Sequence, residues 1–441
     1  MPTRRREASS ARLFLEFFNT EAAGGALLVV CAGAALIIAN SRWADAYHAL
    51  WLTPIGVAVG SHGVTLTLHQ WINDALMATF FLLVGLEIKR EVIAGELAAP
   101  RQAALPIAAA IGGMVVPALF YVAANDGGMA ARGWAIPMAT DIAFALGALS
   151  IVAPRAPTGL KVFLAALAIV DDMGAILVIA LFYSGDVAWN ALAGAGVVLA
   201  VLIALNYAGV RSLIVYLLLG LVLWFFIHES GVHATIAGVL LALTIPTQTL
   251  LNALEFSATA RGLLDEFDRT ETGDYLTLTS KGQQDAIVGL ERASEQVTPP
   301  LLRIQHGLHG ISAYLVMPLF AFSNAGVTFS ASAADQVTLA IAVGLVLGKP
   351  LGITVASVAA VRWRLAALPE GVTWTALHGC AWLGGIGFTM SLFIATLAFD
   401  GTPLLDAAKV GILGGSVVAG IVGAVVIRAG VRSLERSASK G

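Results

Sequence analysis

Charge is what this 441-residue chain has least of: 12% of its residues are Asp, Glu, Lys or Arg, against about 25% in an ordinary soluble domain. With 58% hydrophobic residues and a mean hydropathy of +0.85, that scarcity excludes a soluble globular fold and points to a polytopic membrane protein. Cysteine is nearly absent too. Cys31 and Cys380 lie in separate apolar segments, which excludes a disulfide framework and a CxxC metal site. The motifs of common enzymes are also missing. No GxSxG stretch occurs, and the run from His228 and Glu229 to His233 is one residue too long for a zinc HExxH helix. Gly344 to Pro350 lacks the spacing and the Ser/Thr of a phosphate loop. Neither a cofactor nor a nucleic-acid partner is expected, and the net charge of −3 is uninformative about partners. Arg4 to Arg6 suggest a signal peptide, but Glu16 and Glu21 interrupt the apolar core one needs, so a retained cytoplasmic tail is expected.

What the chain does have is long apolar runs. Twelve helices are predicted, near residues 22–40, 72–88, 103–124, 134–153, 158–183, 187–207, 211–227, 231–246, 310–328, 337–361, 374–398 and 405–428. With both termini cytoplasmic, all but four of the 25 Lys and Arg residues fall inside, as the positive-inside rule requires. Arg42, Arg132 and Lys409 are left outside, and Lys349 within a span. Residues 55–68 alternate apolar and polar around Gly60-Ser61-His62-Gly63, which predicts a two-stranded hairpin outside the membrane. An isolated hairpin is marginal in water, so pairing with a second copy, as a homodimer, is expected. Residues 247–303 form a polar cytoplasmic insert with nine acidic and five basic side chains, and Asp285 to Val297 has helical spacing. The organisation is one integral membrane unit: eight helices in 1–246, the insert 247–303, and four helices with a C-terminal tail in 304–441.

The chemistry lies in the few charges inside the spans. Asp171 and Asp172 follow nine apolar residues after Lys161, so they stand roughly 15 Å along the helix, near the midplane of a ~30 Å hydrocarbon layer. One acid there costs about 2.5–3.5 kcal/mol to insert, and two adjacent acids also repel each other. Lys349, 14 residues after Asp335 and 13 before Arg362, reaches the same depth on another helix. An unpaired lysine there is costly, so it is expected to meet Asp171 or Asp172. Adjacent helical residues point about 100° apart, so one lysine cannot face both carboxylates. One acid then pairs, and the other faces a water-filled cavity. Asp141 follows Pro137, which invites a break in its helix, and three glycines from Gly384 to Gly387 interrupt a second span. Broken helices at membrane depth expose dipole ends, which an acid such as Asp141 and a base such as Lys349 offset. The competing reading, a fixed salt bridge that only packs helices, does not account for breaks in two spans beside three acids and a base. An intramembrane aspartyl protease needs its two acids on separate helices, and these are adjacent.

Seven stretches carry a family resemblance: Leu83–Val92, Ala139–Ala148, Ala168–Leu177, Gly231–Leu240, Leu319–Thr328, Leu347–Thr354 and Gly384–Ile394. In them the chain resembles the NhaA family of bacterial sodium/proton antiporters, over nearly all its length outside 247–303 and the tails. The resemblance implies an all-α fold of twelve transmembrane helices, with broken helices at 134–153 and 374–398. It also implies an inverted repeat of three helices relating residues 103–183 to 337–428, an architecture for which this family is a standing example. It implies a secondary antiporter of the bacterial inner membrane, not an enzyme, that expels Na+ or Li+ and admits protons for pH homeostasis and salt tolerance. Na+ is then held at Asp171 and Asp172, with Thr140, Asp141 and Lys349 completing the ion- and proton-coupling site. A pH response is implied at Glu87, Arg90, Glu91, His306 and His309 on the cytoplasmic side, with His233 toward the periplasm. Where the family shows Leu-Glu-His before the ninth helix, this chain has Ile304-Gln305-His306, so that position cannot ionise. The alternative function on a similar fold is a sodium-coupled symporter of an organic solute, though no polar side chains mark an organic pocket.

Overall fold

A computed structural model describes residues 23–59, 62–125, 127–269, 281–328 and 336–438. The N-terminal tail through Ala22, where the first predicted helix was to begin, and the hairpin tip at Gly60 and Ser61 lie outside that description. The chain is mostly helical. In order come α1 (Ala23–Ala39) and α2 (Ala44–Trp51), bent 117° from it, then the hairpin of β1 (Pro54–Val59) and β2 (His62–Thr67). Next are α3 (Leu68–Ala94), α4 (Pro100–Ala124), the three-ten helix α5 (Gly128–Met138), α6 (Ile142–Val152) and α7 (Thr158–Phe182). After them run α8 (Trp189–Tyr207), α9 (Leu213–Glu229), α10 (Ile236–Thr244), α11 (Ala253–Arg269), α12 (Lys281–Val297) and α13 (Pro300–Ile311). Last come α14 (Met317–Asn324), α15 (Gln336–Arg362), α16 (Trp374–Leu383), α17 (Phe388–Phe399) and α18 (Leu404–Ala438). Among the described residues six helices are long and apolar enough to cross a membrane. The count reaches nine if each of three bent pairs is one span.

Local chemistry explains most boundaries. Thr67 and Gln70 form a reciprocal capping box that starts α3 directly from β2. Pro100 and Pro300 occupy the first turns of α4 and α13, where a missing N–H costs nothing. The two strands pair Val59 with His62 and Ala58 with Gly63, so His62 and Gly63 belong to β2 and the turn is shorter than the sequence suggests. The helix predicted at 231–246 is only the nine residues of α10. Gly231 takes a left-handed φ of 77° that closes α9, and residues 232–235 turn before α10 begins. Lys409, expected outside, is 8% exposed in the second turn of α18, with Asp406 and Asp400 acting on it.

Two hydrophobic clusters organise the bundle. The larger joins α1, α2, α14 and the first half of α3 to α4–α7 and α15–α18. At its centre α4 and α15 cross so tightly that a Cβ on Gly112 would overlap the Gly352 carbonyl, and the reverse also holds. The smaller cluster joins α3 with α8, α9, α10 and α13 through Leu82, Leu86, Leu202, Tyr216, Leu223 and Leu241. Between them lies a thin seam, where Val84 and Ile88 of α3 meet Ile169 of α7. The insert is a helical hairpin in which α12 covers the helical stretch read from Asp285 onward and α11 was not anticipated. Its root is fastened by the Leu250 and Leu251 N–H groups donating to the Gln296 carbonyl at 2.9 and 3.2 Å, and by Arg303–Glu295 at 3.0 Å.

Candidate functional site

The site forms where two interrupted helices cross. The backbone unwinds at Ala139-Thr140-Asp141 between α5 and α6, and again from Gly384 to Gly387 between α16 and α17, each with a 44° bend. Unwinding frees backbone groups that lipid cannot satisfy, so the two breaks satisfy one another. The Thr140 hydroxyl donates to the Gly384 carbonyl at 2.7 Å, and the Asp141 N–H to the Ile386 carbonyl at 2.7 Å. The Ser391 hydroxyl donates to the Ile136 carbonyl at 2.8 Å. Asp141 caps both half helices that begin at the crossing. Its Oδ1 accepts from Phe144 N at 3.0 Å, and its Oδ2 accepts from Thr389 N at 3.1 Å and from the Thr389 hydroxyl. Ser416 of α18 accepts a further free donor, Phe388 N, at 3.1 Å.

The opposite ends of the broken helices present carbonyls, and there a cation sits. Lys349 follows a π turn, Gly344–Gly348, whose extra width accommodates the missing N–H of Pro350. Its ammonium donates to the Met138 carbonyl at the end of α5 and to Asp171 Oδ2 at 2.6 Å. Both partners of that ion pair are 1% exposed. Asp172 points elsewhere. With Asp141, Thr389, Glu87, His309 and Ser312 it lines a cavity of about 50 Å³. The Oδ1 atoms of Asp171 and Asp172 are buried and accept no hydrogen bond. Three buried acids thus stand against one buried base, and Thr140 approaches the Asp171 carboxylate from the break while Asp172 Oδ1 is left without a hydrogen bond. Among the described residues no three or more His, Cys, Asp or Glu side chains converge on a metal position. A hard cation here would take carboxylate, hydroxyl and carbonyl oxygens.

The remaining site candidates separate into two places. Arg90 and Glu91 pair at 2.9 Å on α3, one turn from Glu87. Glu87 receives a hydrogen bond from Gln305 of α13, and His309 on the same helix feels both His306 and Arg90. His306 itself is exposed. His233 is apart from this group, bonded to Thr235 at 3.1 Å and edge-on to Phe393 at 5.5 Å. Sequence reasoning missed Thr389, Ser391 and Ser416. For Thr389 and Ser391 the available signal was a hydroxyl just after a glycine-rich break, where a half helix needs its first N–H groups capped, whereas nothing local marked Ser416.

Comparison with known proteins agrees with this geometry. Residues 15–427 match the family described as Na+/H+ antiporter 1. The Na+/H+ antiporter NhaA of Oleidesulfovibrio alaskensis is 50% identical over 426 residues, 96% of this chain and 95% of that one. Its counterpart in Koribacter versatilis is 47% identical over 422 residues, covering 94% and 90%. The Helicobacter pylori (strain HPAG1) protein is 43% identical over 432 residues, covering 97% and 98%. A multi-pass chain whose two broken helices cross over buried carboxylates, matched from end to end in this way, belongs to the NhaA family of Na+/H+ antiporters.

Proposed function

We propose that this protein exchanges intracellular Na+ or Li+ for external protons at Asp171 and Asp172, without ATP or any cofactor. The observation that carries the reading is the buried Asp172 carboxylate, whose Oδ1 accepts no hydrogen bond, lining a cavity at the crossing of two broken helices. Protons and sodium compete for the same oxygens, which couples the two fluxes. Asp172 is the principal cation ligand, with Thr140 and nearby carbonyls adding neutral oxygens. Asp171 alternates between the ion and Lys349. Asp141 and Lys349 offset the exposed ends of the half helices. The cavity has room for an ion and a few waters, which favours this reading over symport of an organic solute.

Alternating access moves the α4–α7 and α15–α18 assembly against the α8–α10 and α13 bundle, with α3, which packs on both, as the boundary between them. Twelve spans in a bacterial inner membrane follow if α9, α10 and the α13–α14 segment each count as one. The two three-helix units, each with one broken member, then form an inverted repeat, and both termini and the insert are cytoplasmic. Glu87, Arg90, Glu91, His306 and His309 line the cytoplasmic approach and tune activity to pH. The 55–68 hairpin joins two copies into a dimer. Asp172→Asn tests the core of this proposal. It is expected to abolish sodium-induced proton release from purified, reconstituted protein while leaving membrane insertion intact. Near-native exchange by the inserted variant would overturn the assignment.

A further inference from the structure

One titratable group beside the crossing takes no part in the ion site. His378 lies in the middle of α16, partly exposed, and its ring makes two hydrogen bonds. Nε2 lies 3.0 Å from the Trp382 indole nitrogen one turn on, and Nδ1 lies 2.8 Å from the Thr354 hydroxyl of α15. An indole N–H only donates, so Nε2 must present a lone pair. The ring is therefore neutral with its proton on Nδ1, and that N–H donates to Thr354. Both partners lead to the site. Thr354 is five residues beyond Lys349 and follows Ile353, whose Cδ1 would lie 2.9 Å from a Cβ on Gly384. Trp382 is two residues before Gly384, and its carbonyl accepts from Gly385 N at 2.9 Å, inside the break. The imidazole thus fastens the last turn of one half helix to the helix that carries the buried lysine.

A proton on Nε2 turns that acceptor into a donor. Two N–H groups then face each other across 3.0 Å, and the ring or the indole must move. Resting on the antiport reading, we infer that His378 is a positioning residue for exchange. Its neutral form holds α16 and the Gly384 break in register with Lys349, and its protonation releases them and slows transport in acid. Other charges are poorly placed to substitute. Among the described side chains, the elements packed most closely on α16 carry Lys349 and Arg362 on α15, Lys161, Asp171 and Asp172 on α7, and Asp406, Lys409, Arg428 and Arg432 on α18, of which the first two lie at the far end from the Gly423 and Gly430 contacts with α16, while α6 has none. Lys349 is engaged with Asp171, Arg428 donates to the Val152 carbonyl, and Arg362 and Arg432 are exposed.

The test is the maximal rate of sodium-driven proton movement in proteoliposomes from pH 5.5 to 8.5. Sodium is kept saturating at each pH, so that competition at the carboxylates does not set the curve. His378→Asn places an amide N–H where Nδ1–H stood and cannot titrate in this range. This variant should therefore show a flatter acid limb, keeping a larger share of its pH 8.5 rate at pH 5.5 than native protein does. Trp382→Phe removes the opposing donor and should flatten the acid limb in the same direction. His378→Ala should lose rate at pH 8.5 as well, and His378→Asn should recover it. Size-exclusion profiles and melting curves establish that each variant is folded. If the Ala variant is not, the Asn and Phe variants carry the test. Acid limbs that coincide with the native one, or losses equal at every pH, overturn the inference alone. Absence of exchange in the native protein overturns the antiport reading, and this inference with it.

Discussion

Removing the Lys349 ammonium isolates the energetics of the crossing. Breaking a fully buried ion pair costs about 3–5 kcal/mol, because the remaining partner is left uncompensated. In Lys349→Ala that partner is Asp171, 1% exposed and 2.6 Å from the missing charge. The Met138 carbonyl also loses its donor, at a pH-independent cost of about 1–3 kcal/mol. The carboxylate has one escape, which is to take a proton. Holding a proton on an acid of ordinary pKa ~3.9 costs about 1.4 kcal/mol per pH unit above it, hence about 1.5 kcal/mol at pH 5. That cost reaches the ~3–5 kcal/mol limit between about pH 6 and 7.6. The folded variant binds a proton that the unfolded chain releases, so it is stabilised in acid and loses that stabilisation as pH rises. The melting-stability gap between native and Lys349→Ala protein in sodium-free detergent should therefore widen by about 1.5–3.5 kcal/mol between pH 5 and pH 8. Exchange by the variant should move to higher pH. Adding Asp171→Asn should remove the pH-dependent part and leave the Met138 part, whereas Lys349→Arg should be milder throughout. A gap that is constant with pH would refute this reasoning, since it would mean that no carboxylate had been stranded.

Three further outcomes are expected. Thr389→Val removes the hydroxyl that donates to buried Asp141 and should cost about 1.5–3 kcal/mol in melts; Thr389→Ser should restore most of it, and an unchanged melt would deny the cap a role. Deleting the hairpin should give monomers on cross-linking with exchange retained, because the crossing lies wholly on other helices; a folded deletion variant without exchange would show that the two roles are not separable. Gln305→Glu sets a second acid against Glu87 and should steepen the pH profile or move its midpoint, while His306→Ala should disturb it in the native background. Activity against pH at several sodium concentrations decides this last point, and coincident curves for all three proteins would leave site competition as the whole cause.

The sequence made the membrane class and both helix breaks legible, because each follows from composition or from spacing along one helix. Lys349 and Asp171 could be matched by depth alone, and the structure distinguishes between the two adjacent acids through the 2.6 Å contact. The reciprocal bonds at the crossing were not legible. Whether Thr140 reaches Gly384, or Thr389 reaches Asp141, depends on the rotation of two helices about their axes, which no local pattern encodes. Short elements failed for a related reason. The apolar run at 231–246 did not show that its first residues turn about Gly231 before the nine-residue α10, and the π turns before Lys349 and before Met317 leave composition unchanged. Helix α11 was missed because its charged sequence reads as a solvated spacer along the chain.

The mutual capping of the two breaks imposes an order on biogenesis. Thr140 and the carbonyl it bonds are separated by 244 residues. At a synthesis rate of about 5–20 residues per second, the first break exists for about 12–50 s before its partner has been made. During that interval Asp141 can cap only its own half helix, and the α5 carbonyls have neither Lys349 nor Ser391 to receive them. Lipid satisfies none of these groups, so the unwound segment must be held by the insertion machinery or by water until α15–α17 arrive. The crossing is thus a late joint of assembly, and substitutions there should register as premature degradation of nascent chains.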